Sequence, residues 1–199
     1  MIMRYIFIIL FSTLAFNSAK GQGSADVIIR NVYNELEKMN PYQAKIEVVY
    51  DNDSIWGSYQ VDDDNYYISI EEQELYGDST EKYEVFNSRK EVVIDKVTQE
   101  YDGNILSNPA TAFSSILNYY SASIISDNNG VTTLELKQDV DSEVIKLEVY
   151  NNAWFPKSIL YISGEDEVVV NIFSIKRMTS TIKSYDNSNY ADYEVIDFR

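Results

Sequence analysis

Histidine and cysteine are both absent from this chain of 199 residues. Without them the sequence lacks the commonest general base, thiol nucleophiles, disulfides and the usual zinc ligands. It also has no glycine-rich phosphate loop and no G-x-S-x-G elbow. A carboxylate pair of the glycosidase kind is the enzymatic route that stays open, but most Asp and Glu residues occupy alternating or turn positions typical of a solvated surface. The sequence therefore predicts a protein that is not an enzyme and needs no cofactor or metal.

Basic residues are scarce, with 16 Lys and Arg against 32 Asp and Glu and a formal net charge of −16. Such a surface repels phosphate backbones and anionic lipid headgroups. We therefore expect no direct binding of nucleic acid, and any lipid should enter a cavity instead of lying under a basic patch. Solubility explains most of this charge equally well.

The N-terminus has the pattern of a secretory signal peptide. A short basic region, Met1 to Arg4, precedes an apolar run, Tyr5 to Phe16, which is shorter than the roughly 20 residues that a transmembrane helix needs. Ala19-Lys20-Gly21 then matches a small-x-small cleavage site. We predict cleavage after Gly21 and export to the periplasm, with an uncleaved anchor as the alternative. Residues 22–199 are enough for a single domain.

Two amphipathic helices are predicted. Ser24 is typical of a helix N-cap, and Asn40-Pro41 should end the first helix because the residue before proline avoids the helical region. The apolar residues of this first helix recur at helical spacing and therefore share one face. They are Ile28, Val32, Leu36 and Met39. Asn108-Pro109 should begin a second helix over Ala110 to Tyr120.

Elsewhere apolar residues alternate with period two, which indicates half-buried strands. Predicted strands cover 44–50, 55–61, 66–70, 71–76, 82–86, 91–94, 96–100, 123–126, 132–137, 143–150, 157–163, 168–178 and 195–198. The connections are rich in Asp, Asn and Gly, as in Asp127-Asn128-Asn129-Gly130, Asp139-Val140-Asp141 and Gly164-Glu165-Asp166, which suits hairpins. The acidic turns Asp51-Asn52-Asp53 and Asp62-Asp63-Asp64-Asn65 could hold calcium, but they lack the full EF-hand spacing and a plain turn is favoured.

Consecutive strands without βαβ alternation predict a mainly β fold with two or three helices. These strands should form a single curled antiparallel sheet, a half-open β-barrel whose helices cover an apolar cavity.

The order of these elements resembles the outer-membrane lipoprotein carrier family, the LolA-like proteins, and particularly its Bacteroidetes branch. Segments that carry the likeness are Ala25 to Leu36, Tyr42 to Ile46, Gly57 to Tyr59, Asn65 to Ile68, Tyr76 to Asn87, Lys90 to Ile94, Asn108-Pro109, Phe155 to Ile159 and Tyr193 to Arg199. Together they span nearly all of the mature chain.

This resemblance implies a carrier that binds the acyl chains of lipoproteins and transfers them from the inner to the outer membrane. The implied partners are acylated lipoproteins, an inner-membrane lipoprotein-releasing transporter, and an outer-membrane acceptor or the membrane itself, with the carrier a monomer. The sequence departs from the family at two places. Tyr50 to Ile70 contains no Arg or Lys that could act as the lid arginine of the proteobacterial members, and Ser79 stands where the family usually has glycine.

We predict that the apolar helix faces and one face of the early strands line the acyl cavity. The candidate residues are Ile28, Val32, Leu36, Ile46, Val48, Trp56, Tyr59, Phe113, Ile116 and Leu117. An ordinary solid core is the alternative for any one of them. At the level of function, the alternatives are carriage of another lipid and an envelope protein-interaction or sensor module on the same fold, for which we expect a filled core and an exposed apolar patch.

Overall fold

A computed structural model describes residues 16–51, 53–97, 104–138 and 143–199, with side chains from residue 24 onward. The first helix, α1 (Phe16–Met39), ends where Asn40-Pro41 predicts. Its start differs from the prediction, because no proline interrupts the residues before Ser24 and the helix runs through them. Ser24 therefore lies inside α1 and is not its N-cap in the full-length chain.

Twelve strands are present among the described residues. They are β1 (Tyr42–Tyr50), β2 (Asp53–Asp62), β3 (Asn65–Ile70), β4 (Gln73–Gly77), β5 (Glu81–Phe86), β6 (Glu91–Lys96), β7 (Ser121–Asn128), β8 (Val131–Lys137), β9 (Val144–Tyr150), β10 (Pro156–Ser163), β11 (Asp166–Arg177) and β12 (Glu194–Asp197). The predicted strand 96–100 coincides with the structure only at Lys96, the end of β6, and residues 98–100 lie outside the described part.

All twelve strands form one sheet in the order β12-β6-β5-β4-β3-β2-β1-β11-β10-β9-β8-β7. Neighbouring strands are antiparallel, as predicted, with one exception; most pairs are hairpins, whereas β1 and β11 are distant in the chain. β12 lies parallel to β6, with Glu194 opposite Glu91 and Asp197 opposite Ile94. The chain reaches this edge after a long crossing segment, and a crossing permits parallel pairing where a tight hairpin does not. The described strands do not close into a barrel, since β7 and β12 are the two edges.

The second helix is much shorter than predicted. Residues 105–114 form turns, and only α2 (Ile116–Tyr119) is helical. Asn108 does cap a turn, because its side-chain oxygen accepts hydrogen bonds from the backbone N–H groups of Ala110 and Thr111 at 3.2 and 3.3 Å. The hydroxyl of Ser114 then donates to the Thr111 carbonyl at 3.1 Å. Such local hydroxyl bonds compete with the helical pattern.

One face of the sheet, here called the inner face, packs against α1 and residues 104–120. Their buried side chains form a single apolar cluster with strands from β3 round to β7. Eight adjacent strands laid flat would span roughly 35 Å, whereas a helix is about 10 Å across. The sheet must therefore curl around α1 for one cluster to reach all eight strands.

The opposite face, here called the outer face, carries a second apolar cluster over β3 to β6. Residues 179–193 cross this face and include a 3-10 helix, Asn187–Tyr190, before β12 joins the edge. Tyr190 is buried there against Tyr76. The C-terminal segment thus covers the half of the outer face that is farthest from β7.

Within the described ranges no helix combines the length and apolar character needed to cross a bilayer. In the same ranges no group of three or more acidic side chains is arranged to hold a metal ion. The Asp62 to Asn65 segment joins β2 to β3 as a turn, with Asp63 at a φ of 52°. The predicted signal-peptide core, residues 1–15, and the turn Asp139-Val140-Asp141 lie outside the described residues.

Candidate functional site: an apolar groove beside the core

Nine of the ten residues predicted to line a cavity lie together on the inner face. They are Ile28, Val32, Leu36, Ile46, Val48, Tyr59, Phe113, Ile116 and Leu117. Leu117 is partly buried, and the other eight are buried in one cluster. Their side chains fill the space between α1, α2 and the sheet, so among the described residues they form a packed core.

Trp56 is the exception, and its assignment to the cavity is wrong. It lies opposite Glu47 on β1, between the levels of Ile46 and Val48. Because side chains alternate along a strand, Trp56 projects from the outer face, where it is 47% exposed. Its ring centroid lies 4.7 Å from that of Phe173.

An apolar groove of about 190 Å³ lies beside the core on the inner face of β3 to β5. Its apolar side chains are Ile68, Ile70, Leu75, Phe86 and Leu106, and its polar rim includes Gln73, Lys82 and Glu84. Ile68 belongs to the core cluster, and Ile70, Leu75 and Leu106 pack against it. The groove is therefore continuous with the packed interior.

Residues 104–119 cover the core next to this groove. Ile105 is fully buried, and its backbone N–H donates to the hydroxyl of Tyr161 at 2.9 Å. Between Ile105 and α2 the backbone makes turns without regular helix. Apolar side chains such as Phe113 attach the segment to the core.

Tyr59 carries a polar atom inside the apolar core. The residue is fully buried, and its hydroxyl has no hydrogen-bond partner among the described residues. Burial, followed by the neighbouring Tyr42 and Tyr161, raises the pKa of Tyr59 well above its ordinary value. An unsatisfied buried hydroxyl costs about 1–3 kcal/mol, so this position can bind an acceptor that enters the core.

A polar cluster that sequence reasoning missed surrounds Glu74 on the outer face. The hydroxyls of Tyr67 and Tyr190 donate to its carboxylate at 2.6 and 2.8 Å, and Lys183 forms an ion pair with it. Burial raises the pKa of Glu74, but the hydrogen bonds from Lys183, Tyr67 and Tyr190 outweigh burial and lower that pKa to about 2. The cluster attaches the C-terminal segment to β3 and β4.

The sequence contains a weak signal of this cluster, in the tyrosine-rich run Tyr185 to Tyr193. Tyr185 stacks on Tyr83 and Tyr190 with centroid distances of 4.3 and 5.5 Å. Aromatic rings at this spacing in a segment without strand periodicity indicate packing against another surface. Nothing in the sequence identifies Glu74, 109 residues from Lys183, as their common partner.

No family model and no curated protein matches the sequence. Several solved structures resemble the fold. One is an uncharacterised conserved protein of Thermus thermophilus, with 10% identity, a TM-score of 0.57, and coverage of 87% of this chain and 99% of that one.

Similar structures also include LolA superfamily protein NE2245 of Nitrosomonas europaea, with 12% identity, a TM-score of 0.42 and coverage of 83% and 96%. LprF of Mycobacterium bovis matches at 10% identity with a TM-score of 0.45, covering 82% of this chain and 98% of that one. At such identities the likeness concerns the fold alone, and TM-scores below 0.5 carry no argument about function.

Proposed function

We propose that this protein binds an acyl chain, carried by a lipid or a lipid-modified protein, in the groove on the inner face of its sheet. The observation that carries the proposal is the apolar groove of about 190 Å³, which opens directly from the core. Its apolar side chains match a hydrocarbon chain, and its polar rim can remain in water while the chain is bound.

The size of the groove predicts how binding occurs. Pockets for drug-sized ligands usually hold about 300–1,000 Å³, so the groove accepts only part of a long chain as it stands. Residues 104–119 then have to move for the rest of the chain to enter, and Leu106 borders both the groove and the core. Each methylene of the ligand that is buried contributes about 0.8 kcal/mol. This free energy offsets the packing that residues 104–119 lose when they move.

Tyr59 supplies a polar contact for the same ligand. An acyl chain attached to a protein or glycerol ends in an ester or amide carbonyl, which accepts hydrogen bonds. If the chain displaces part of the core, that carbonyl can pair with the Tyr59 hydroxyl. The ligand would thereby satisfy the buried donor that lacks a partner among the described residues.

The specific form of the proposal follows the resemblance of the sequence. The protein is exported, loses residues 1–21, receives acylated lipoproteins from an inner-membrane transporter, and delivers them to an outer-membrane acceptor. No bond is made or broken in this transfer. The lid arginine of the proteobacterial carriers has no counterpart between Tyr50 and Ile70, so the cover is held by other contacts, among them the packing of Phe113 and the hydrogen bond from Ile105 to Tyr161.

Native mass spectrometry of the mature protein, purified gently from its own cells, tests the proposal. We expect bound lipid or acylated protein near one-to-one stoichiometry, and saturable uptake of a fluorescent 16-carbon fatty acid by the emptied protein. A ligand-free mass together with no uptake of the probe would overturn the proposal.

A second function, an envelope protein-interaction module, is favoured by one observation. The nine predicted cavity residues of the inner face pack into a filled core, and large apolar side chains such as Trp56 and Phe173 are exposed elsewhere. If the purified protein has a ligand-free mass and takes up no fatty-acid probe, the interaction module replaces the carrier as the proposed function.

A further inference from the structure

We propose that the outer face of β11, β1, β2 and β3 is a second binding site, and that its ligand is a glycan. An open depression of about 650 Å³ runs across these strands on the side opposite the acyl groove. Trp56 lies at one edge of the depression, and Lys176 and Gln43 lie at the other. The ligand is identified by the chemistry of this lining.

Polar side chains form a continuous row along the depression. Ser174, Lys45, Ser58 and Ser69 lie directly opposite one another on four adjacent strands. Neighbours in such a row are about 5 Å apart, so their hydroxyl and ammonium groups present hydrogen-bonding atoms at regular intervals. A chain of linked sugar rings offers hydroxyl groups at a comparable spacing.

Several of these polar groups have unused hydrogen-bonding capacity. Within the described part of the chain, the side chains of Gln43, Ser58, Glu71, Ser174 and Lys176 make no hydrogen bond or ion pair. Other polar groups of the outer face are paired, as with Asn171, which donates to Glu47 at 3.0 Å. A surface with both unpaired donors and unpaired acceptors suits a ligand whose groups can donate and accept hydrogen bonds, as hydroxyl groups do.

Trp56 supplies a platform for the face of a sugar ring. Its indole is 47% exposed, is flanked by Phe173, and has the Lys45 ammonium 4.4 Å from its centroid. An exposed aromatic ring in contact with two neighbours is restricted in orientation, which reduces the entropy lost when a ligand stacks on it. Aromatic faces bind apolar C–H surfaces, and a sugar ring presents such a surface together with its hydroxyl groups.

The lining also argues against two other occupants. Among the described residues, Ala44, a core residue of β1, is the single aliphatic side chain in the lining of the depression, so the depression does not match a lipid chain or an apolar protein segment. An anionic membrane surface is opposed by the net charge of −16. A neutral or weakly acidic glycan needs neither an apolar lining nor a strongly basic one.

Two tryptophans make the test direct, since the ¹⁵N-labelled mature protein should give one indole signal from Trp56 and one from Trp154. The probes are chitotriose, maltotriose and trigalacturonic acid at millimolar concentration, with phosphatidylglycerol vesicles in parallel. We expect at least one trisaccharide to shift the Trp56 signal and leave that of Trp154 in place. Trp56→Ala should weaken its binding by about tenfold or more.

Phe198→Ala is the matched control, because Phe198 is 67% exposed and follows β12 at the far edge of the sheet. This variant should bind the trisaccharide as the wild type does, whereas Lys176→Gln should weaken binding several-fold. The proposal is overturned if no trisaccharide shifts the Trp56 signal. Vesicle binding through Trp56 without sugar binding would identify a membrane surface instead.

Discussion

The hydroxyl groups of Tyr76 and Tyr190 lie 2.8 Å apart and are buried, although 114 residues separate them in the chain. Tyr190 also donates to Glu74, which pairs with Lys183. Through these contacts the last segment of the chain is bound to β4 before β12 pairs with β6. The outer face of β4 to β6, together with Tyr67 of β3, is therefore covered by the C-terminal segment, whereas no described residue covers the depression that extends from β11 to Ser69 of β3.

Glu74→Gln should make the stability of the protein less dependent on acid pH. The pKa of Glu74 lies near 2 in the folded protein, against an ordinary value of 4.5. Its ionised form therefore stabilises the fold above about pH 4.5, and this contribution is lost as pH falls from 4.5 towards 2. We expect the variant to lose about 1–3 kcal/mol of unfolding free energy at neutral pH and to converge with wild type in acid.

Urea unfolding at several pH values measures this effect. Glu84→Gln is the control, because Glu84 pairs with Lys82 on the inner face and is 37% exposed. The control should follow the pH dependence of wild type. An equal difference between Glu74→Gln and wild type at pH 2 and pH 7 would contradict the assignment.

Tyr59→Phe should raise the stability of the ligand-free protein. The substitution removes a buried hydroxyl that has no partner among the described residues, so a desolvation cost of about 1–3 kcal/mol is relieved. Tyr76→Phe is the matched change, and it should be destabilising because the Tyr76 hydroxyl contacts both Tyr190 and Glu74. Thermal and urea unfolding should show that Tyr59→Phe is more stable than the wild type and that Tyr76→Phe is less stable. Loss of stability in Tyr59→Phe would mean that its hydroxyl is satisfied.

Leu106→Gln should weaken acyl binding without unfolding the protein. Leu106 is partly buried, lines the groove and packs on the core, so an amide there places a polar group against the hydrocarbon chain. We expect about tenfold weaker uptake of the fluorescent fatty acid. Ile125→Gln is the control, since Ile125 is 49% exposed on β7 and lies away from the groove. Equal uptake by both variants would show that the chain binds elsewhere.

Gly77→Ala should destabilise the hairpin of β3 and β4. A methyl group at Gly77 would overlap the ring of Tyr66, which lies opposite it and is 2% exposed. A buried ring has little room to shift, so the cost should be about 1–3 kcal/mol. Ser79→Ala, two residues later at an exposed position, should be nearly neutral. Calorimetric unfolding compares the two, and a neutral Gly77→Ala would mean that the Tyr66 ring moves aside freely.

Most strands could be predicted because their burial alternates in the sequence itself. In β1, Ala44, Ile46 and Val48 are buried as the period of two predicts, and Asn40-Pro41 ends α1 because of the backbone restriction before proline. The sequence predicts a longer second helix than the structure contains, because apolar residues at helical spacing, including Phe113 and Ile116, also allow a series of turns. The hydrogen bond from the Ser114 hydroxyl to the Thr111 carbonyl and the cap that Asn108 provides favour the turns.

The candidate site was predictable only in part. Helical periodicity predicts which face of α1 enters the core. The groove depends on which strands lie beside Leu106, and the sequence does not reveal this long-range contact. Trp56 and Tyr59 are three residues apart on β2, so the alternation of side chains places them on opposite faces, and the register of β2 against β1 decides that Tyr59 faces the core. A shift of one residue moves every side chain of a strand to the opposite face.

The sequence by itself determined the strand and helix periodicity, the strongly negative charge and the absence of histidine and cysteine. Each of these depends only on local spacing or on residue chemistry. Tertiary structure alone decided that β12 pairs parallel with β6, that Glu74 meets Lys183, and that the inner face is packed around α1. These contacts join residues far apart in the chain, and their geometry follows from how the whole sheet curls.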